Sequence, residues 1–261
     1  MDIAITPEDV AGPPAGRWPF LQTLGWGILI IILSTLIQGV MFVAFAAVDL
    51  YARHYLSNLS PDYIQQVLAY EAGRGAVIFS TVIISDLLCV AAILLIIMLK
   101  RQTLREYLSV YRVRPIILFR WIGIVAGFAI LANVAAGLSH IDFGGDGMAK
   151  LYVATRPAWL FWAAAIVAAP IFEEVMFRGF LFRGFQASFL GTNGAIGLTA
   201  ILWAALHIQY NLYGIGFIAV TGILFGLARA RTGSLIVPLT LHTLLNFSDM
   251  VAYTLSGVAG P

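Results

Sequence analysis

The residues with the clearest chemical potential begin with two adjacent carboxylates, Glu173 and Glu174, at the end of an apolar segment. Two neighbouring carboxylates at the edge of hydrocarbon cannot both ionise cheaply. Arg178 lies four residues after Glu174, so on a helix these two side chains share a face and can pair. Glu173 is turned about 100° away and is free to act as a base. The segment fits two interpretations equally: a base beside a structural ion pair, or an ion pair that caps the helix where it leaves the membrane.

Two histidines in later apolar segments add to this set. His207 follows Trp203 by four residues, Asn246 follows His242 by the same spacing, and Asp249 extends the second stripe. Polar side chains on one face of an apolar helix are expected to face the protein interior. Each histidine alone is more typical of a packing residue or an interhelical hydrogen bond. Together with the glutamates they could activate water and stabilise an oxyanion, or bind a divalent cation.

The composition indicates which class of protein must hold these residues in place. The chain has 261 residues, of which 61% are hydrophobic and 11% charged. A soluble domain averages about half apolar and about a quarter charged residues. The composition therefore excludes a soluble enzyme and a disordered chain, and the net charge of +2 offers nothing to nucleic acid. The single cysteine, Cys89, excludes an internal disulfide framework and a cysteine-rich metal cluster.

We predict an all-α fold, a polytopic transmembrane helical bundle of about seven spans, because seven stretches meet or approach the ~20 apolar residues that a span needs. These stretches are roughly 20–48, 76–99, 116–138, 158–175, 193–209, 212–230 and 235–255. After the fourth stretch, phenylalanines recur at helical spacing. They predict a short interfacial amphipathic helix over about 176–190.

The expected organisation is a single membrane domain in three parts: a flexible N-terminal tail over 1–19, transmembrane helices and loops over 20–157, and a catalytic transmembrane core over 158–255. Basic residues crowd the loop after the second span, at 100–114. By the positive-inside rule this loop and the N-terminus are expected to be cytoplasmic.

Two glycine pairs at a spacing of four residues, Gly123 with Gly127 and Gly222 with Gly226, are typical of close helix contacts. We expect them to pack helices inside the bundle rather than to form a dimer. Cys89 has no histidine near it in sequence and is expected to be a packing residue.

The order Glu-Glu-x-x-x-Arg, aromatic-x-x-x-His, His-x-x-x-Asn resembles the CPBP intramembrane protease family. That family includes type II CAAX prenyl endopeptidases and bacteriocin-processing or immunity proteins. The resemblance extends from about Pro170 to Asp249. It assigns the motif residues to Glu173, Glu174, Arg178, His207, His242 and Asn246. Trp203 stands where the family usually has Phe, which is a conservative aromatic change.

The resemblance implies hydrolysis of a peptide bond in a membrane-associated protein or peptide. Glu173 would be the general base on a water, helped by His207, while His242 and Asn246 would hold the oxyanion. The arginine of the first motif would keep the second glutamate ionised. The family is often labelled as metalloproteases, so Glu173, His207 and His242 are candidate ligands for Zn²⁺. A metal-free mechanism stays open. The chain has neither a His-Glu-x-x-His zinc motif nor a Gly-x-Ser-x-Gly elbow.

Two other classes compete with the protease. One is a non-catalytic membrane scaffold or a bacteriocin-immunity protein that binds a peptide at the same place. The other is a small transporter, for which Asp86 and Arg120 in the second and third spans would suit an ion path. The complete Glu–His–His set favours catalysis, and no pair of broken spans supports a transporter. The expected location is a bacterial cell membrane, with the N-terminus cytoplasmic. The expected partners are membrane lipid and a peptide or protein substrate.

Overall fold

The computed structural model describes residues 20–52, 60–144 and 146–255, and these residues form helices and connecting turns without a strand. The helices are α1 Phe20–Ala52, α2 Pro61–Ala72, α3 Gly75–Leu99, α4 Leu104–Tyr107, α5 Pro115–Leu138, α6 Asp146–Ala154, α7 Trp159–Gln186, α8 Gly191–Ala205, α9 Leu212–Thr232 and α10 Ile236–Leu255. The predicted all-α membrane bundle is confirmed. The predicted tail over 1–19 lies outside the described residues.

Five of these helices, α1, α3, α5, α7 and α9, are long and apolar enough to cross a membrane. Helix α8 has 15 residues. At 1.5 Å per residue it is about 22 Å long, which is shorter than a hydrocarbon core of about 30 Å. Helix α10 has 20 residues but carries His242, Asn246 and Asp249, which lower its hydropathy. The count of seven spans therefore stays a prediction.

Helix α7 corrects one prediction. The separate interfacial helix over 176–190 is wrong, because α7 continues without a break to Gln186. Every residue from Glu174 to Phe182 is buried. The phenylalanines do share one side, but α1, α3, α8, α9 and α10 cover the remaining sides of this part of α7 as well. The segment lies in the middle of the bundle and not on its surface.

Two parts of α7, Ala164–Ala168 and Glu174–Leu181, are π-helical. A π-helix bonds each N–H to the carbonyl five residues earlier, and such turns are frequent at functional sites. Both π segments have carbonyl groups that accept hydrogen bonds from side chains of other helices. They therefore join α7 to the helices around it.

Close packing between α8 and α9 confirms one of the glycine pairs. A Cβ atom on Gly222 would lie 3.1 Å from the Cβ of Ala200, and Gly226 is similarly close to α8. The prediction is wrong for Gly123 and Gly127, where an added Cβ would meet no described atom within 4 Å. The reason is that α5 lies at the periphery of the bundle and exposes most of its surface.

The connection between α3 and α5 is held against α7 by a buried arginine. Arg229 of α9 donates from Nε to the carbonyl oxygen of Arg178 at 3.1 Å and from Nη2 to Oγ of Ser109 at 2.7 Å. Its guanidinium also lies over the ring of Phe182, 5.4 Å from the centroid. Because Arg229 is almost fully buried, these contacts fix the loop to the backbone of α7.

Candidate active site

Glu174 is fully buried, and one of its carboxylate oxygens contacts two other side chains. Its Oε1 accepts a hydrogen bond from Nη1 of Arg178 at 3.0 Å, which is the pairing predicted from their spacing. The same oxygen lies 3.0 Å from Nδ1 of His242. Since a carboxylate oxygen accepts, the nitrogen of the imidazole is the donor in this contact. Helix α10 is thereby joined to α7 at this glutamate.

The guanidinium of Arg178 is enclosed by aromatic rings. Its Cζ lies 4.3 Å from the ring centroid of Trp203 and 5.5 Å from that of Phe225. Its Nη2 donates to the carbonyl oxygen of Gly222 at 3.3 Å. A cation over an aromatic face is attracted by the ring, more strongly where water is excluded. Arg178 and its carboxylate partner therefore form a sealed ion pair.

Glu173 has a different environment. Its side chain is 20% exposed, whereas that of Glu174 is 0% exposed. One oxygen, Oε2, accepts a hydrogen bond from the indole N–H of Trp203 and lies 3.8 Å from Nε2 of His242. Glu173 is thus held at one oxygen while its carboxylate remains accessible, so the two glutamates differ in their environments.

His242 lies between the two carboxylates. Its Nδ1 faces Glu174 at 3.0 Å and its Nε2 faces Glu173 at 3.8 Å. Its ring contacts Trp203 and Phe225, with centroid distances of 5.3 and 5.5 Å. With Nδ1 donating to one glutamate, Nε2 is the nitrogen that can exchange a proton or donate to a ligand next to the other.

His207 lies just beyond the end of a helix. The fifth span was predicted over 193–209, but α8 ends at Ala205. His207 is half-buried, and its Nδ1 lies 2.9 Å from the carbonyl oxygen of Trp203. Because a carbonyl oxygen only accepts, this contact assigns the proton to Nδ1 and leaves Nε2 of the neutral ring as an acceptor. The ring contacts Trp203 at 5.1 Å.

Asn246 is half-buried and lies one turn after His242 on α10. Its Nδ2 donates to the carbonyl oxygen of Ala165 at 2.8 Å, and Oγ1 of Thr243 donates to that of Ile166 at 3.3 Å. Both acceptors belong to the first π segment of α7. The amide has a second N–H, which is the one available to a ligand.

The structure therefore brings the predicted residues together to different degrees. Glu174 contacts Arg178 and His242, and His242 also faces Glu173, while His207 and Asn246 bond to backbone carbonyl groups beside this cluster. An apolar cavity of about 170 Å³ between α1, α7 and α8 is lined by none of the predicted residues. What joins the cluster is the indole of Trp203, which contacts both histidines, Glu173 and Arg178.

The contact of Trp203 with Glu173 is one that the sequence did not predict. Trp in place of Phe looked conservative because both are aromatic. The indole has an N–H donor that Phe lacks, and that donor binds Glu173. The four-residue spacing to His207 is the signal that could have found it, since it places both on one face of α8.

The donors do not form a metal site as they stand. Within residues 20–52, 60–144 and 146–255, no group of three His, Cys, Asp or Glu side chains is arranged to hold a metal ion. The two histidines use their Nδ1 atoms in hydrogen bonds to protein oxygens. The assignment of Glu173, His207 and His242 as zinc ligands stays a prediction, and we derive no step through a metal.

Comparisons with known proteins cover the part of the chain that carries these residues. The family described as type II CAAX prenyl endopeptidase, Rce1-like, matches residues 155–248. An uncharacterized 24.3 kDa protein of Escherichia coli is 35% identical over 79 residues, which are 29% of this chain and 36% of that protein. The uncharacterized protein YpbD of Bacillus subtilis strain 168 is 30% identical over 152 residues, which are 56% of this chain and 74% of that protein. No solved structure matches the chain.

The apolar helices and these matches define an integral membrane protein. The chain belongs to the Rce1-like type II CAAX prenyl endopeptidase family. It spans about a third of the length of the Escherichia coli relative and about three quarters of that of YpbD.

Proposed function

We propose that this protein is an intramembrane endopeptidase that hydrolyses a peptide bond of a membrane-associated protein or peptide. The observation that carries the proposal is the unequal environment of two adjacent carboxylates. Glu174 is neutralised by Arg178 in the sealed ion pair, whereas Glu173 is accessible and faces His242. One carboxylate is thereby structural, and the other is available as a general base.

In the proposed reaction, a water bound to Glu173 gives a proton to that carboxylate while its oxygen attacks the scissile carbonyl carbon. His207 assists through Nε2, the ring nitrogen that is left as an acceptor. The negative charge moves to the former carbonyl oxygen of the substrate. Collapse of this tetrahedral intermediate breaks the C–N bond, and the proton held by Glu173 passes to the leaving amine.

The oxyanion needs donors aimed at it. We assign this role to Nε2 of His242 in its protonated form and to the second N–H of Asn246. Glu174 orients the ring, because its Oε1 lies 3.0 Å from Nδ1 of His242. Thus Glu174 acts through both Arg178 and His242, without touching the substrate.

The location and orientation also belong to the proposal. We place the protein in a bacterial cell membrane, with membrane lipid around it and with its N-terminus in the cytoplasm. The basic loop over 100–114 supports this orientation. Because Cys89 is fully buried, a cysteine introduced at Arg105 gives a selective label. If an impermeant reagent labels this cysteine from outside intact cells, the loop is extracellular and the proposed orientation is wrong.

The function is tested with the purified protein in lipid vesicles and a peptide library analysed by mass spectrometry. Wild type is expected to cleave a subset of peptides, and Glu173→Gln is expected to lose this activity while remaining folded. Glu106→Gln is the matched control, because Glu106 is exposed and its carboxylate accepts a hydrogen bond from Thr103, away from the site. Full activity in Glu173→Gln would rule out the glutamate base.

Repeating the assay with a chelator distinguishes activation of water by Glu173 alone from activation by a bound zinc ion. Cleavage that persists with chelator supports activation by Glu173 alone, whereas loss of cleavage that zinc restores supports the zinc ligand set. Binding of peptides by wild type without any cleavage would favour the scaffold function instead.

A further inference from the structure

Asp86 is a buried carboxyl group that the proposed reaction does not use. It lies midway along α3 and is 4% exposed. Its Oδ2 has no hydrogen-bond partner among the described residues. A carboxyl oxygen without a partner is costly in an apolar interior, and ionisable groups at membrane depth are functional candidates. Asp86 therefore needs a partner that the described protein groups do not supply.

The polar neighbours of Asp86 on α3 do have hydrogen-bond partners. The hydroxyl of Ser85 lies 2.9 Å from that of Ser34 on α1, and the hydroxyl of Thr81 donates to the backbone of its own helix at 2.7 Å. Arg120, which the sequence analysis named with Asp86 for an ion path, is exposed and makes no ion pair with Asp86 in the described structure. On this part of α3, Asp86 thus differs from Ser85 and Thr81, whose hydroxyl groups have partners.

The position of Asp86 relates it to the site. Helix α3 packs against the part of α7 that ends at Glu173. Asp86 and Glu173 lie on these two packed segments. The next charged groups on α7, Glu174 and Arg178, are paired with each other. Two carboxyl groups are therefore carried by adjacent helices, and no ion pair joins Asp86 to a described residue.

We propose that Asp86 is a positioning residue that holds water beside Glu173. A buried water typically makes about three hydrogen bonds to buried polar groups. Asp86 and Glu173 supply two acceptor groups for it. A hydrolase whose site is surrounded by hydrocarbon needs such an ordered supply of its second substrate. The proposal rests on the proposed function, since it assigns this water to the hydrolytic site.

The test compares Asp86→Leu with Asp86→Asn in vesicles. Leu removes the hydrogen-bonding group, and kcat is expected to fall about tenfold or more while KM stays within about twofold. Asn still binds water and is expected to retain most activity. The thermal midpoint of Asp86→Leu should not fall, because the substitution removes an unpartnered polar group. Thr81→Val is the matched control on the same helix and should behave as wild type.

Three results would overturn the proposal: unchanged kcat in Asp86→Leu, a raised KM with kcat intact, or an activity loss that follows loss of folded protein. The second would indicate contact with substrate and the third a structural role.

Radiolytic footprinting gives a measurement that does not need activity. X-ray pulses oxidise side chains next to bound water, and Cys89, which is fully buried, lies one turn from Asp86. Oxidation of Cys89 is expected in wild type and should fall in Asp86→Leu. No oxidation in wild type would overturn the water site itself. Oxidation without any peptide cleavage would keep the water site and reject the proposed function.

Discussion

The indole N–H of Trp203 donates a hydrogen bond to Oε2 of Glu173, the carboxylate that we propose as the base. The face of the same ring carries the guanidinium of Arg178, with Cζ 4.3 Å from its centroid. One side chain of α8 thus orients the base and covers the ion pair next to it. Its N–H distinguishes this chain from relatives of the CPBP family that have Phe at the same place.

Trp203→Phe should separate these two contributions. The ring over Arg178 is kept, but the donor to Glu173 is lost. Loss of a hydrogen bond to a charged group, about 1.5–3 kcal/mol, should lower kcat by roughly 10- to 100-fold with little change in the thermal midpoint. Trp121→Phe, a buried tryptophan on α5, is the control. Wild-type turnover in Trp203→Phe would show that the donor is not needed.

Arg178→Met should damage the fold as well as the reaction. It leaves Glu174 fully buried without its cation, which typically costs about 3–5 kcal/mol. Unfolding in detergent followed by circular dichroism measures this loss. Adding Glu174→Gln should recover part of the stability, because the orphaned charge is removed. If the single variant is as stable as wild type, the ion pair is not a structural element.

Asn246→Ala and His207→Ala should differ in severity. Asn246→Ala removes one oxyanion donor, worth roughly 10²–10³ in kcat, and one bond to α7, worth about 1 kcal/mol of stability. His207→Ala should abolish nearly as much activity as Glu173→Gln, since groups that act as a unit are not additive. Single-turnover cleavage by the folded variants measures both. Equal, small losses would assign both residues to packing.

Gly222→Ala tests the close approach of α9 to α8. The added methyl would lie 3.1 Å from Ala200 and from the Trp203 ring, so the indole must move or the helices must separate. We expect a loss of about 1–3 kcal/mol with reduced activity. Gly123→Ala has no neighbour within 4 Å and should be neutral or stabilising, by up to about 1 kcal/mol. Thermal unfolding of the two variants side by side makes the comparison.

Continuous apolar runs between charged residues and prolines made three helices predictable. Stretches 76–99 and 116–138 correspond to Gly75–Leu99 and Pro115–Leu138, and the first helix begins at Phe20 as predicted. The fourth could not be bounded in this way. Its glutamates and arginine look like the point where a helix leaves the membrane, yet Glu174 and Arg178 are buried and pair with each other.

The site was predictable only where its contacts are local. Glu174 and Arg178 are four residues apart, so helical geometry alone predicts their pairing. Glu174 and His242 are separated by 68 residues, and Trp203 and Glu173 by 30. Those contacts depend on how α8 and α10 pack against α7, which no local pattern encodes.

The π-helical stretch Glu174–Leu181 makes the structure of α7 sensitive to any change in the number of residues there. Removing one residue there would tighten the coil and rotate everything beyond it by about 100°. Arg178 would then turn away from the carbonyl of Gly222, and its own carbonyl from Arg229. A substitution in this segment changes one side chain, whereas an insertion or deletion changes the direction in which every later side chain of α7 points.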